Sequence, residues 1–373
     1  MQAVLVLLFG FLGPIISPAM AEQPLIVEET FLTVTIGSQN YRLEALIAKE
    51  AGSSERLPIA LITHGQAVEA EKREQIEARG FLSLAREFAR RGWLAVVVVR
   101  RGFGHSEGPT PYVLKQCRNG DYAAALAGQT DDIEAAIKTI GRRNDADIST
   151  VLALGISVGG VTVLDLAGRR PDGLKAVVNI AGGIKTVGKP GGPSPTCKAE
   201  DLIPLFASLG ERSRLPTLWL YAENDSYFAP DYVRKLHEAY VAKGGSAEFH
   251  MFEPIGEDGH SIAVTLDGML RWLPALDRFL RDRKLRTYDP APLAAALGSL
   301  NLPERAHQVA NRYDGRPTEK AFAVSQSNKA AYAQFGGRDL SEMEAKAREE
   351  CEKIAKEPCR IFLRNFEVVP NGH

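Results

Sequence analysis

Five consecutive residues, Ala95-Val96-Val97-Val98-Val99, carry no polar group, and four of them are β-branched. A strand with one face in water alternates apolar and polar side chains, so this run predicts a central strand covered on both faces. Around it, short β-branched runs alternate with helical periodicity: a strand at 59–63, a helix near 81–91, a strand at 94–99, a helix at about 130–142, a strand at 151–154, a helix at 160–169 and a strand at 174–180. That alternation predicts an α/β chain with a mostly parallel sheet flanked by helices. Ahead of it, residues 31–36 and 41–48 flank the turn Gly37-Ser38-Gln39-Asn40 and predict an antiparallel edge hairpin. The rhythm breaks over 182–216, where Gly188-Lys189-Pro190-Gly191-Gly192-Pro193-Ser194-Pro195 excludes a helix or a central strand. It resumes with a strand at 217–221, a helix at about 230–242, a strand at 247–252 and a helix at about 266–283.

The 373 residues thereby divide into a catalytic-size domain over 22–285 with an excursion at 182–216, an Ala/Pro/Leu-rich connector over 286–318, and a small α+β module over 319–373. The first twenty-one residues carry no charge and end in Pro18-Ala19-Met20-Ala21, which reads as an export signal cleaved after Ala21. The apolar part is broken by Gly10, Gly13 and Pro14 and is too short for a stable membrane span. Export, to the periplasm or beyond, makes the four cysteines disulfide candidates. Three pairings exist, and Cys117 with Cys197 and Cys351 with Cys359 is the economical one. Forty-five basic against forty-six acidic residues leave no positive field for nucleic acid.

The strongest chemical signal is Gly155-Ile156-Ser157-Val158-Gly159-Gly160, at the junction of a predicted strand and a predicted helix. A serine on that sharp turn is lifted clear of the sheet, and small neighbours are required by the tight strand-to-helix packing. Serine is a poor nucleophile alone and needs a histidine base and an orienting acid, which follow in the order Ser157, Asp225, His260. Asp225 lies in the loop after the strand at 217–221, with Glu223 and Asp258 as competing acids, and His260 lies in the loop after the strand at 247–252. The backbone N–H groups of Val158 and Gln66 are the candidate oxyanion donors, with His64 holding the Thr63-His64-Gly65-Gln66 loop. Phe103, Tyr112, Tyr227 and Phe228 are candidate apolar walls. This chemistry calls for no cofactor and no metal, and neither a His-Glu-x-x-His nor a phosphate-loop motif occurs.

His64-Gly65-Gln66, the turn Arg100-Arg101-Gly102-Phe103-Gly104-His105-Ser106-Glu107-Gly108, the Ser157 elbow and the Asp225 and His260 loops together resemble the α/β-hydrolase superfamily, within it the dienelactone-hydrolase-like branch of serine esterases. The resemblance covers about 31–285. It implies the α/β-hydrolase fold and hydrolysis of an acyl-ester or other small-molecule substrate through an acyl-serine. Dienelactone hydrolase itself uses cysteine, so Ser157 favours general ester hydrolysis over that substrate. A peptidase or lactonase on the same residues is the nearest alternative, and a non-catalytic binding protein on the same scaffold is the alternative of another class. The mixed-sign charge of the helix at 341–355 gives the C-terminal module no recognisable role.

Overall fold

The computed structural model describes residues 24–53, 55–66, 70–110, 117, 119–185 and 197–369. Its main sheet is built from β1 (Leu25–Ile36), β2 (Gln39–Glu50), β3 (Leu57–Thr63), β4 (Leu94–Val98), β5 (Ala146–Ile156), β6 (Leu174–Ile180), β7 (Pro216–Ala222) and β8 (Ser246–Phe252), in the order β1-β2-β4-β3-β5-β6-β7-β8. The hairpin β1–β2 joins β4 antiparallel, and every pairing from β4 onward is parallel. The Ala95–Val99 run lies inside the sheet, with Val96 facing Ile47 on one neighbour and Leu61 on the other.

Alternation along that run feeds two cores. Leu94, Val96 and Val98 pack on one face, and Ala95, Val97 and Val99 on the other. The helices are α1 (Ala70–Glu74), α2 (Leu82–Ala89), α3 (Tyr122–Ile140), α4 (Val158–Arg169), α5 (Ala199–Arg212), α6 (Pro230–Ala242) and α7 (Leu266–Asp282). The buried sides of α3 to α6 cover the first face, and those of α2 and α7 the second. Helix α3 starts well ahead of its expected position. Asp121 caps it by accepting from Ala124 N at 2.9 Å, and the alanine-rich first turns carry too little periodicity to betray a helix.

The expected excursion is helical over its second part. In α5, Ala199, Leu202, Phe206 and Leu209 recur at helical spacing and are buried, a pattern hidden by the preceding Gly/Pro run and by Pro204 within the helix. Residues 188–195 lie outside the described residues. The connector likewise holds two helices, α8 (Pro290–Gly298) and α9 (Glu304–Ala310). Pro290 follows the cap Asp289, whose side chain accepts from Ala291 N, so this proline starts a helix.

A second sheet, in the order β10-β9-β11-β12, is antiparallel throughout and contains β9 (Lys320–Ser325), β10 (Ala331–Phe335), β11 (Cys359–Arg364) and β12 (Glu367–Val368). Helix α10 (Leu340–Ala355) packs on one face through Met343, Ala347 and Cys351, while Leu293, Ala306, Ala310 and Tyr313 cover the other. The module is tied to the main domain by buried ions. Arg90 holds Glu319 through Nε and Nη2 at 3.1 Å, and Glu87 accepts from the Thr318 N–H at 2.7 Å. Arg91 bridges Glu87 at 2.7 Å and Asp277 at 2.6 Å. Both disulfides of the economical pairing are present, Cys117–Cys197 and Cys351–Cys359. Among the described residues no helix is long and apolar enough to cross a membrane, and the segment read as an export signal lies outside them.

Candidate active site

Ser157 is the single residue between the end of β5 and the start of α4, at φ 56° and ψ −124°. A serine costs about 1–3 kcal/mol in such a backbone, and the surroundings hold it there. Its N–H donates to Ile180 O at 2.9 Å, and its carbonyl accepts from Gly160 N at 2.9 Å. The glycines let the helix come this close: a Cβ on Gly155 would sit 1.9 Å from Gly159 O, and one on Gly159 would sit 2.4 Å from His64 O. A Cβ on Gly65 would lie 3.1 Å from the Ser157 Cβ and 3.7 Å from its Oγ, so the loop after β3 lies directly against the serine.

Asp225 and His260 come from the loops after β7 and β8, at the same C-terminal edge of the parallel strands. The Asp225 carboxylate is fully buried. Its Oδ1 accepts from Tyr227 N at 2.8 Å and Phe228 N at 3.0 Å, and its Oδ2 accepts from His260 Nδ1 at 3.0 Å. With the proton on Nδ1, the Nε2 lone pair is left to accept a proton. The imidazole is partly exposed, with the Tyr227 ring edge-on at 4.6 Å and the Phe228 ring at 5.5 Å.

The two loops are locked together by side chains. Asp258 accepts from His260 N at 2.9 Å, Ser226 N at 3.0 Å and Ser226 Oγ at 2.8 Å. Burial pushes the Asp258 carboxyl up, and these hydrogen bonds outweigh it and hold the group below the ordinary carboxylate value. Asn224 adds a further tie, accepting from Ile255 N at 2.9 Å and donating to Ile255 O at 3.1 Å.

Beneath the loop after β3, His64 is fully buried. It donates from Nδ1 to Gly65 O at 2.6 Å and accepts at Nε2 from Arg100 N at 3.0 Å. Burial first, then the nearby Arg100 cation, hold its pKa well below the ordinary histidine value, so it is a neutral strut.

The family model described as serine aminopeptidase, S33, matches residues 75–209, a span that includes Ser157 and stops before Asp225 and His260. That match joins a strand order of 1-2-4-3-5-6-7-8 and a strained serine between β5 and α4. The chain has the α/β-hydrolase fold. No curated protein matches it in sequence. Similar solved structures include a provisionally assigned dienelactone hydrolase from Klebsiella pneumoniae, 19% identical over 67% of this chain and 98% of its own, with a TM-score of 0.45. A Pyrococcus furiosus esterase is 12% identical over 70% of this chain and 91% of its own, at a TM-score of 0.48. An acylaminoacyl peptidase of Pyrococcus horikoshii is 18% identical over 70% of this chain and 42% of its own, at 0.47.

The remaining residues singled out from sequence fall in different places in this fold. Val158 is buried in the first turn of α4, and Gln66 follows Gly65. Of the wall candidates, Tyr227 is exposed beside His260, and Lys185 Nζ lies 3.5 Å over its ring. Phe228 and Phe103 are core residues, the first behind His260 and the second against His64 at 4.8 Å. Tyr112 lies outside the described residues. Glu223 is exposed and offers its backbone N–H to Phe252 O, whereas Asp225 takes the histidine. Asn224 and Arg100 had no distinguishing signal in the sequence, because their roles depend on contacts to segments 31 and 36 residues away. Among the described residues no group of three or more His, Cys, Asp and Glu is gathered that could hold a metal ion.

Proposed function

We propose that this chain is a serine hydrolase that cleaves carboxylic esters through an acyl-serine intermediate, with Ser157 as nucleophile, His260 as base and Asp225 as orienting acid. The observation that carries the reading is the 3.0 Å hydrogen bond between His260 Nδ1 and the buried Asp225, formed at the strand edge where Ser157 is held in a strained turn. Ser157 Oγ attacks the ester carbonyl carbon while His260 Nε2 takes its proton. The carbonyl electrons move onto oxygen, where the N–H groups of Val158 and Gln66 stabilise them. Collapse expels the alkoxide, which leaves as the alcohol with the proton from His260, and a water activated by the same imidazole then releases the acid.

Tyr227, exposed beside His260, borders the entry for a small substrate. Of the cap read over 182–216 in the 22–285 catalytic domain, residues 186–196 lie outside the described residues, and Cys197 just after them is bonded to Cys117. Two disulfides support export to the periplasm or beyond after cleavage near Ala21. The serine aminopeptidase description of the matching family favours an amide as the second reading. Turnover of p-nitrophenyl esters, lactones and aminoacyl anilides, with Ser157→Ala as control, separates the two. Ester turnover in excess of anilide turnover supports the proposal, and the reverse order supports the peptidase.

A further inference from the structure

Arg100 is among the largest fully buried side chains, and among the described residues no carboxylate hydrogen-bonds to it. Asp132, whose charge acts on Arg100, is already held by Arg101 through Nε at 2.5 Å and N at 3.0 Å. The Arg100 Nε has no partner among the described residues, and burial lowers the pKa of the guanidinium to about 10. A cation this deeply buried is costly unless its hydrogen bonds accomplish something specific.

Those bonds converge on one loop. Nη1 donates to Thr63 Oγ1 and to His64 O, both at 2.7 Å, and Nη2 donates to Gly65 O at 2.8 Å. Gly65 O and the Gln66 N–H belong to one planar trans peptide unit, so the two groups point in opposite directions. Drawing the carbonyl onto Arg100 and His64 Nδ1 turns the Gln66 N–H the other way. A charged donor on the carbonyl also polarises that amide and strengthens its N–H as a donor.

We infer that Arg100 is a positioning residue for the oxyanion-stabilising loop, aiming and polarising the Gln66 N–H through its grip on the Thr63, His64 and Gly65 oxygens. The inference rests on the acyl-transfer reading above. It assigns a function to the first arginine of Arg100-Arg101-Gly102, which does not touch the reacting atoms and acts through the loop.

The test is p-nitrophenyl acetate hydrolysis by wild type, Arg100→Met, Arg100→Lys and Thr63→Val, together with inhibition by benzeneboronic acid, which binds serine as a tetrahedral anion. Arg100→Met should lower kcat by about 100-fold, the scale of one lost oxyanion donor, and weaken boronate binding by a similar factor while KM stays within about twofold. Arg100→Lys should fall between Met and wild type, and Thr63→Val, which removes one acceptor, should lower kcat by about threefold to tenfold. A folded Arg100→Met with wild-type kcat and wild-type boronate affinity overturns the inference. Should the methionine variant not fold, wild-type kcat and boronate affinity in both the lysine and valine variants overturn it equally. Wild-type protein that neither hydrolyses the ester nor takes a fluorophosphonate on Ser157 overturns the acyl-transfer reading and this inference with it. An active wild type with indifferent variants overturns the Arg100 role alone.

Discussion

Replacing Asp225 by asparagine changes one atom and separates the electrostatic part of the proposed mechanism from the architecture. Asp225 accepts three hydrogen bonds, two on Oδ1 from the Tyr227 and Phe228 N–H groups and one on Oδ2 from His260 Nδ1. An asparagine keeps the first two through its carbonyl oxygen and turns its NH2 toward Nδ1. The imidazole must then accept at Nδ1 and carry its proton on Nε2, which leaves it without a lone pair for the Ser157 proton. The wrong-tautomer penalty known from serine proteases is about 10⁴ in kcat, equivalent to about 5.4 kcal/mol at 1.36 kcal/mol per tenfold. Stability should fall by less than about 3 kcal/mol, because the asparagine NH2 replaces the lost bond by donating to Nδ1 and the two backbone N–H groups keep a neutral acceptor. Steady-state hydrolysis of p-nitrophenyl acetate, paired with urea unfolding, measures both quantities. A folded Asp225→Asn enzyme within tenfold of wild-type kcat would refute the assignment of Asp225, and Glu223→Gln serves as the neutral control.

Glu319→Ala should destabilise the protein by about 3 kcal/mol, the low end for breaking a buried ion pair, since Arg90 retains Glu50 at 3.3 Å. Urea unfolding unchanged within about 0.5 kcal/mol would remove this pair from the account of how the C-terminal sheet is held. For the disulfides, chain-entropy scaling with separations of 80 and 8 residues gives about 4.5 kcal/mol for Cys117–Cys197 and about 2.5 kcal/mol for Cys351–Cys359. Cys197→Ser should also raise KM for bulky esters more than it slows phosphonate labelling of Ser157, and equal effects on both would count against a cap. Hydrogen bonds from Arg143, then from Lys49, hold the Asp145 carboxyl below its ordinary value. A depressed folded-state pKa gives stability that is present above the unfolded pKa of about 3.9 and lost as pH falls toward the folded value. Asp145→Asn should therefore flatten the stability profile between about pH 4 and pH 2, by up to about 1 kcal/mol, and an unchanged acid limb would contradict this.

What the sequence made legible follows from locality. A run such as Ala95-Val96-Val97-Val98-Val99 needs two covered faces wherever it lies, and the Gly155 to Gly160 string needs a tight strand-to-helix turn for steric reasons contained within six residues. Chain order then selected Asp225 and His260, and the structure brings that pair into hydrogen-bond contact. Helices α5, α8 and α9 were hidden because proline and glycine signal a break and a helix start alike, and a side-chain cap such as Asp289 separates the two only once the backbone is seen. Arg100 is the instructive omission. It stands within a surface-type motif rich in charge, and only the strand pairing of β3 with β4 carries it beneath the loop it holds. Phe103 and Phe228 are buried rings against His64 and His260, and which face of a loop turns inward is a property no local sequence pattern carries.

Formation of a covalent acyl-enzyme at Ser157 is read out by intact-protein and peptide mass spectrometry after brief reaction with a small fluorophosphonate, which takes the place of the ester at the same oxygen. A single adduct should appear on the peptide containing Ser157, formed in wild type, slowed in His260→Ala and absent in Ser157→Ala that unfolds normally. An adduct on another residue, or equal labelling and equal ester turnover in Ser157→Ala, would contradict it.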